Sequence, residues 1–161
     1  MKTGYLAVEK YSLASSLKKD TRRLIAVGSG FDSNAARTSQ SIRLLSWGLR
    51  NTDTYEISKK NSTTFDIRSW LGKKDIIKGT TKEDVFITLS KKDSRFLKVS
   101  LDYNGPVKAP IEKDQEIAKL NIYKKDELIR SIPVYSSEEL KKVNFLKSLF
   151  LSLNYLVWGD V

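Results

Sequence analysis

Apolar and polar residues alternate along the chain between residues 54 and 134, and this period-two pattern predicts β-strands with one buried face. The clearest runs are Val85 to Leu89, Leu97 to Tyr103 and Ala118 to Ile122. Turn signals separate the runs: Leu71-Gly72-Lys73, Asn104-Gly105-Pro106, Glu112-Lys113-Asp114 and Lys124-Lys125-Asp126. Short strands spaced in this way predict a small antiparallel sandwich or barrel, with Pro133 closing its last strand.

The first 52 residues have a different pattern. Tyr11–Leu17 is predicted to be a strand. Arg23–Val27 is mostly a continuous apolar run, which predicts a second, more buried strand that ends at Gly28-Ser29-Gly30. The two strands form a hairpin from the middle of a sheet, and a hairpin cannot bury both of its faces alone.

A helix is predicted to follow over Ser33–Arg50, with Ser33 or Asn34 as its N-cap. The residues at helical spacing on its apolar face are Ile42, Leu45 and Leu49. One hairpin and one helix make an incomplete domain. We therefore expect further elements upstream of this chain.

A second helix is predicted to begin at Ser136 or Ser137, where serine and a nearby glutamate suggest a capping box. Its apolar face is broad and its polar stripe is narrow. The apolar residues predicted to anchor this helix are Phe145, Leu146, Leu149, Phe150, Leu153, Leu156 and Trp158. The stretch is too interrupted to span a bilayer, which takes about 20 mainly apolar residues. The pattern favours a helix in the membrane interface, with a core or partner-binding helix as the alternative.

Lysine and arginine outnumber aspartate and glutamate by 29 to 19, which gives a net charge of +10. This charge favours anionic partners such as phospholipid, nucleic acid or an acidic polymer, and a solvated basic surface explains it equally well. A small nucleic-acid-binding barrel would also use aromatic residues such as Trp70, Phe86 and Tyr103. Because the basic residues are scattered and no RNA-binding motif occurs, nucleic acid is not expected as a partner.

The chain contains no His and no Cys. These absences remove the commonest general base, a thiol nucleophile, disulfides and zinc–thiolate sites. No metal or other cofactor is expected. The chain begins without a charged and then apolar leader, so we expect either a cytoplasmic protein or a natural N-terminus further upstream.

The tripeptide Lys2-Thr3-Gly4 is the candidate functional motif of the first 52 residues. In the simplest interpretation it is a solvated lysine beside a turn glycine. In the chemical interpretation it lies on an edge strand, where Lys2 and Thr3 present a cation and a hydroxyl to a substrate carboxylate. Gly4 then lets the substrate backbone come close.

Five segments occur in an order and spacing similar to those of a known family. They are Lys2-Thr3-Gly4, Tyr11–Ser16, Arg22–Val27, Leu44–Arg50 and Ala109–Glu116. On these segments nearly the whole chain resembles the C-terminal part of a D-alanyl-D-alanine carboxypeptidase, a serine-type penicillin-binding protein of low molecular weight. The amphipathic tail lies where this family has its membrane anchor.

The resemblance implies an α+β fold in three parts. Residues 1–52 would be the last strands and last helix of a penicillin-binding, β-lactamase-like catalytic domain whose N-terminal half is missing. Residues 53–134 would be a small all-β sandwich domain. Residues 135–161 would be an amphipathic membrane-anchoring helix.

The family trims the terminal D-Ala from peptidoglycan pentapeptides through a serine acyl-enzyme, using Ser-x-x-Lys, Ser-x-Asn and Lys-Thr-Gly motifs. Of these, only Lys2-Thr3-Gly4 occupies its family position. Arg37 matches a family arginine that helps hold the terminal carboxylate of the substrate. Ser15…Lys18 and Ser16…Lys19 lie in a predicted strand, where residues i and i+3 face opposite sides, and Ser152-Leu153-Asn154 lies in the terminal helix. No catalytic residue remains, so the chain alone is expected to be inactive.

Two segments depart from the family pattern. Leu6 stands where the family has threonine, two residues after the glycine. Glu9-Lys10 stands where it has Ala-Gly, before the residue that matches Tyr11. These changes alter the expected edge of the cleft.

The implied partners are the D-Ala-D-Ala end of the peptidoglycan stem peptide, β-lactams, and an anionic membrane surface contacted by the C-terminal helix. The implied location is the periplasm, at the outer face of the bacterial inner membrane. Because residues 1–52 would expose apolar surface, we expect self-association or pairing with a separately made N-terminal half. The alternative is a non-enzymatic membrane-surface module built from a β domain and an amphipathic helix.

Overall fold

The computed structural model describes residues 2–6, 10–20 and 22–159, without the side chains at positions 6, 151, 154, 155 and 158. The strands are β1 (Lys2–Leu6), β2 (Lys10–Lys19), β3 (Arg22–Phe31), β4 (Thr52–Ser58), β5 (Thr64–Trp70), β6 (Ile76–Thr80), β7 (Val85–Ser90), β8 (Leu97–Asp102), β9 (Val107–Lys108), β10 (Glu116–Lys124) and β11 (Glu127–Ser136). The helices are α1 (Asn34–Asn51) and α2 (Phe145–Trp158). The α+β fold class is confirmed. The chain divides into two compact units, Met1–Tyr55 with Thr88–Ser94 and Glu56–Ile87 with Arg95–Val161, which we call unit 1 and unit 2.

Unit 1 contains an antiparallel sheet in the order β1-β2-β3, with α1 packed against β2 and β3. The predicted hairpin is confirmed, but the prediction that its second strand ends at Gly28-Ser29-Gly30 is wrong, because β3 continues to Phe31. The register passes from Leu13 opposite Gly28 to Tyr11 opposite Phe31, so β3 carries one extra residue there. Gly30 has a φ of +76°, which suits such a bulge.

The predicted N-cap of α1 is confirmed at Ser33. The hydroxyl oxygen of Ser33 accepts a hydrogen bond from the backbone N–H of Ala36 at 3.1 Å. This bond satisfies one of the backbone donors that every helix leaves free at its start.

The predicted apolar face of α1 is partly wrong. Ile42 is exposed, whereas Ser41 is buried and Leu45 is half-buried. A Cβ at Gly48 would lie 3.2 Å from Cδ1 of Leu24 in β3, so the helix turns its glycine toward the sheet. This close approach rotates the packed face away from Ile42.

Unit 2 is built on a six-stranded sheet in the order β8-β10-β11-β6-β5-β9, antiparallel except for the β5–β9 pair. Its core consists of Ile67, Ile77, Val85, Ala109, Ile111, Ile117, Ala118, Leu120, Ile122, Ile132, Val134 and Leu140. Ala118, Leu120 and Ile122 lie in this core, as the alternating pattern predicts. Asn121, which the pattern predicts on the other face, is buried as well. A separate two-stranded sheet joins β4 and β7.

The hairpin between β10 and β11 confirms the turn predicted at Lys124-Lys125-Asp126. Lys125 and Asp126 have φ values of 50° and 65°, as a two-residue loop with two left-handed positions requires. Pro133 does not close β11, which runs on to Ser136. Pro133 pairs with Lys119 on one side, and β6 joins the other side only at Tyr135, so the missing N–H of proline is tolerated.

The predicted start of the C-terminal helix is wrong. Ser136 ends β11, residues 137–144 form bends and isolated β-bridges instead of a helix, and α2 begins at Phe145. Leu140 is buried and exchanges backbone hydrogen bonds with Ile111, 2.9 and 2.8 Å long. Burial of Leu140 in the core of unit 2 therefore overrides the local capping signal.

Candidate functional site

The tripeptide Lys2-Thr3-Gly4 lies in β1, an edge strand of the described part of its sheet, and all three residues are exposed. Lys2 pairs with Ala14 and Thr3 pairs with Leu13. Because side chains alternate across a strand, Lys2 and Thr3 project from opposite faces of the sheet. Thr3 shares its face with Leu13, which is buried on the side that α1 covers.

Gly4 lies opposite Ser12 in the β1–β2 pair. A Cβ at Gly4 would come within 2.7 Å of the Ser12 hydroxyl oxygen. A side chain at this position would displace the side chain of Ser12, so glycine leaves the surface of this edge strand open.

Arg37 lies in the first turn of α1. Its Nη2 donates to Oδ1 of Asn34 at 2.6 Å, and its guanidinium carbon lies 5.5 Å from the centroid of the Tyr11 ring. The Nε atom is buried and has no hydrogen-bond partner among the described residues. A guanidinium has five N–H donors, so Arg37 keeps donors available for a ligand carboxylate.

Two tyrosines connect Arg37 to the edge strand. Tyr5 pairs directly with Tyr11, and their ring centroids are 4.9 Å apart. Thr3 and Tyr5 are two residues apart on one face of β1, which is a separation of about 7 Å. The structure therefore brings Thr3, Tyr5, Tyr11 and Arg37 to one face of the sheet and leaves Lys2 on the other.

Tyr5 and Tyr11 were not among the predicted site residues. Their pairing follows from the β1–β2 register, which the sequence pattern did not provide because β1 is only five residues long. Tyr11 occurred only as the first residue of the predicted strand Tyr11–Leu17 and as a residue of the family resemblance.

The backbone at Lys10, one residue of the Glu9-Lys10 departure, shows why the family pattern has glycine at this position. Its φ is +57°, in the left-handed region that glycine adopts without strain, and glycine is the residue the resemblance leads one to expect there. Glu9, the other residue of this departure, lies outside the described residues. Lys10 donates a hydrogen bond to Asp32, and this bond, together with the lysine charge, lowers the pKa of the Asp32 carboxyl.

The serines of the near-match motifs are engaged elsewhere. Ser15 is buried in β2, and its hydroxyl donates to the carbonyl oxygen of Ala26 at 3.4 Å. The hydroxyl oxygen of Ser16 accepts a hydrogen bond from Arg23 at 3.1 Å. Among residues 2–6, 10–20 and 22–159 there is no group of acidic side chains that could hold a metal ion.

The second candidate functional feature is α2, 14 residues long. The exposed apolar side chains of α2 are Phe145, Leu146, Leu149, Phe150, Leu153, Leu156 and Val157. Ser148, on the narrow polar stripe, is buried instead. The predicted contribution of the Trp158 side chain lies outside the described residues.

Nothing in the described part of the chain covers the apolar surface of α2 by packing along it. No helix among the described residues has the length and apolar character needed to cross a membrane.

Comparisons with known proteins match both units. Residues 53–142 match the family model described as "Penicillin-binding protein 5, C-terminal domain". The chain is 32% identical over 150 residues to the D-alanyl-D-alanine carboxypeptidase DacF of Bacillus subtilis, a match that covers 92% of this chain and 39% of the relative. It is 31% identical to the D-alanyl-D-alanine carboxypeptidase DacD of Salmonella typhimurium, over 88% of this chain and 37% of the relative.

Solved structures of penicillin-binding proteins, including the following two, are similar to this one. Penicillin binding protein 5 from Haemophilus influenzae aligns with a TM-score of 0.73 and 26% identity, over 88% of this chain and 42% of that protein. The D-alanyl-D-alanine carboxypeptidase DacD from Francisella tularensis aligns with a TM-score of 0.66 and 29% identity, over 89% of this chain and 36% of that protein. The chain thus spans about two fifths of the length of its relatives and corresponds to their C-terminal part. It belongs to the family of the penicillin-binding protein 5 C-terminal domain.

Proposed function

We propose that this chain is the C-terminal part of a serine-type carboxypeptidase that trims the terminal D-Ala from peptidoglycan pentapeptides during cell-wall remodelling. In this proposal residues 1–52 end the catalytic domain, residues 53–134 form the all-β second domain, and residues 135–161 form the anchor, whose helix begins at Phe145. The enzyme acts at the outer face of the bacterial inner membrane. The observation that carries the proposal is the edge strand with Lys2-Thr3-Gly4, on the small sheet against which α1, the helix of Arg37, packs.

The site residues have separate roles in this proposal. Thr3 and Arg37 bind the terminal carboxylate of the substrate, because a hydroxyl and a guanidinium lie on the same face. Lys2, on the opposite face, supplies a cation to the part of the cleft built by the missing N-terminal half. The chain alone is inactive because it has neither the nucleophile nor its base.

Exposed apolar surface on unit 1 supports the proposal that this unit binds a partner. Ile25 and Val27 are 69% and 74% exposed on the sheet face opposite α1. Ala26, Gly28, Gln40, Ser41 and Leu44 contribute to the lining of an open cavity of about 210 Å³ next to β3. Apolar surface left open in this way favours self-association or pairing with an N-terminal half.

Intact-mass measurement after incubation with a penicillin tests this proposal. We expect no adduct and no release of D-Ala from a pentapeptide with this chain alone. A version extended upstream of Met1 by the N-terminal half should gain the mass of one acyl group. Acylation of the chain alone would refute the predicted inactivity, and a properly folded extended version that is not acylated would refute the proposed enzyme.

A second candidate function is a non-enzymatic membrane-surface module. The exposed apolar side chains of α2 favour it, because this helix suits the membrane interface whether or not unit 1 is part of an enzyme. Vesicle pelleting of the whole chain and of a version that lacks residues 145–161, which keeps Leu140 in the core of unit 2, tests the anchor. The two candidates differ in the penicillin experiment, which is positive only for the enzyme.

A further inference from the structure

The base of α2 is tied to a loop of the β domain by a short backbone ladder. Gly72 forms an antiparallel bridge with Lys142. The N–H of Lys73 donates to the carbonyl oxygen of Lys141 at 3.0 Å, and the N–H of Val143 donates to that of Leu71 at 2.9 Å. We call residues 71–73 and 141–143 the base ladder. It fixes the position of the loop relative to the first turn of α2.

The base ladder is packed too closely to shift freely. A Cβ at Gly72 would lie 2.6 Å from Cδ2 of Leu140 and 3.0 Å from the carbonyl oxygen of Lys74. Leu71 and Val143 are both buried. The exposed lysines of the ladder are therefore presented from a rigid part of unit 2.

The lysines around the base ladder differ in their ion pairing. Lys74 pairs with Glu138 at 2.5 Å, and Lys141 lies 3.9 Å from Glu139. Lys73, Lys142 and Lys147 are exposed and have no ion-pair partner among the described residues. We call these three lysines the basic collar. Asp75 follows Lys73 by two residues in the loop.

The basic collar lies at the end of a helix whose apolar side chains are exposed. Lys142 pairs with Gly72, the residue before Lys73, at the spacing of about 5 Å that separates paired strands. Because side chains alternate along a strand, Lys73 and Lys142 project from the two sides of the base ladder and flank the start of α2. Phe145 begins α2 three residues later, and Lys147 follows in its first turn. Lysines next to an apolar interfacial helix are attracted to an anionic lipid surface, an interaction that decays within about 10 Å at ordinary salt.

We propose that the basic collar binds the headgroups of anionic phospholipids when α2 lies in the membrane interface. The loop around Lys73 is then a second contact with the lipid, in addition to the helix. This inference rests on the proposed role of α2 as the anchor. It goes beyond that role because it assigns lipid binding to a loop of the β domain.

The test uses the full chain with Lys73→Gln and Lys142→Gln together, and vesicles of phosphatidylcholine with or without phosphatidylglycerol. Each lysine near an anionic surface strengthens binding about fivefold at low salt, so we expect the double variant to bind phosphatidylglycerol vesicles about 25-fold more weakly. Binding to pure phosphatidylcholine should not change. The matched control is Lys98→Gln with Lys119→Gln, which removes the same charge from exposed positions in β8 and β10.

The possible outcomes separate this inference from the proposed anchor. If wild type binds phosphatidylglycerol vesicles and both double variants bind them equally, the basic collar is refuted while the anchor stands. If wild type binds neither kind of vesicle, both proposals fail. The inference is supported if only the collar variant binds phosphatidylglycerol vesicles more weakly than wild type, and if this difference becomes smaller as the salt concentration rises. Circular dichroism of each variant confirms that the fold is retained.

Discussion

Ile25 and Val27 in β3 offer the sharpest test of whether unit 1 needs a partner. Both side chains lie on the sheet face that α1 does not cover, next to Ala14 and Ser16 across the β2–β3 pair. Threonine at both positions keeps the β-branched shape and the strand propensity while it adds a hydroxyl to each side chain. The double variant therefore changes the chemistry of the exposed face more than the strand itself.

The expected magnitude follows from the exposure of the two residues. Complete burial of an Ile or Val side chain stabilises by about 1.5–3 kcal/mol. Ile25 and Val27 are 69% and 74% exposed, so most of this free energy is still available to an interface. The double variant should weaken association by about 2–3 kcal/mol, or roughly 30- to 150-fold in the dissociation constant. The free energy of unfolding of the chain should change by no more than about 0.5 kcal/mol, as for other exposed positions.

Sedimentation velocity over a range of concentrations measures the association, and the same variant in the extended protein measures the effect on pairing with the N-terminal half. The matched control is Ile76→Thr with Val99→Thr, two exposed positions in unit 2. We expect the control to associate like wild type. The reasoning is refuted if the wild-type chain is monomeric at high concentration and the Ile25 and Val27 variant also leaves acylation of the extended protein unchanged.

Three further changes test the fold and the electrostatics. Gly79→Ala places a Cβ 2.6 Å from Cγ1 of Val134 and 2.8 Å from Cδ1 of Ile67, so urea denaturation should show a loss of about 1–3 kcal/mol, and an unchanged midpoint would contradict this packing. Ser33→Ala removes the N-cap of α1 and should cost about 1 kcal/mol in the same assay, whereas Ser33→Asp should restore most of it. Asp32→Asn removes a carboxyl whose pKa is lowered by Lys10. The stabilisation by this carboxylate is present above its unfolded pKa of about 3.9 and is lost as the pH falls through the lower folded value. The variant should therefore unfold with less pH dependence below about pH 4, and an identical acid transition would argue against the Lys10–Asp32 pair.

Strands and turns were the most predictable part of the fold. The burial of Ala118, Leu120 and Ile122 follows from their two-residue spacing, and the Lys125-Asp126 loop follows from local turn chemistry. Both signals are local, so the sequence alone can carry them. The end of β3 at Phe31 was not predictable in the same way, because Gly28 and Gly30 suit both a turn and a bulge.

The two helix errors have a common cause in tertiary packing. Ile42 has the right spacing for a buried face, but the contact of Gly48 with Leu24 turns α1 toward Ser41. The residues after Ser136 carry capping signals, but Leu140 gains more from burial beside Ile111. In both places the structure is decided by a contact between residues that are far apart in the sequence. A local sequence pattern does not contain this information.

The candidate site and the family assignment rest on different parts of the chain. The family model covers residues 53–142, whereas Thr3, Tyr11 and Arg37 lie in unit 1. The β1–β2 register brings Thr3 and Tyr5 beside Tyr11, and Arg37 contacts the Tyr11 ring. The sequence could identify the motif Lys2-Thr3-Gly4, but it could not predict that Arg37 lies beside Tyr11. Substitutions in the core of unit 2 therefore test stability within an established family. Substitutions at Thr3 or Arg37 in the extended protein test the chemistry, and loss of acylation with an unchanged unfolding midpoint would separate the two.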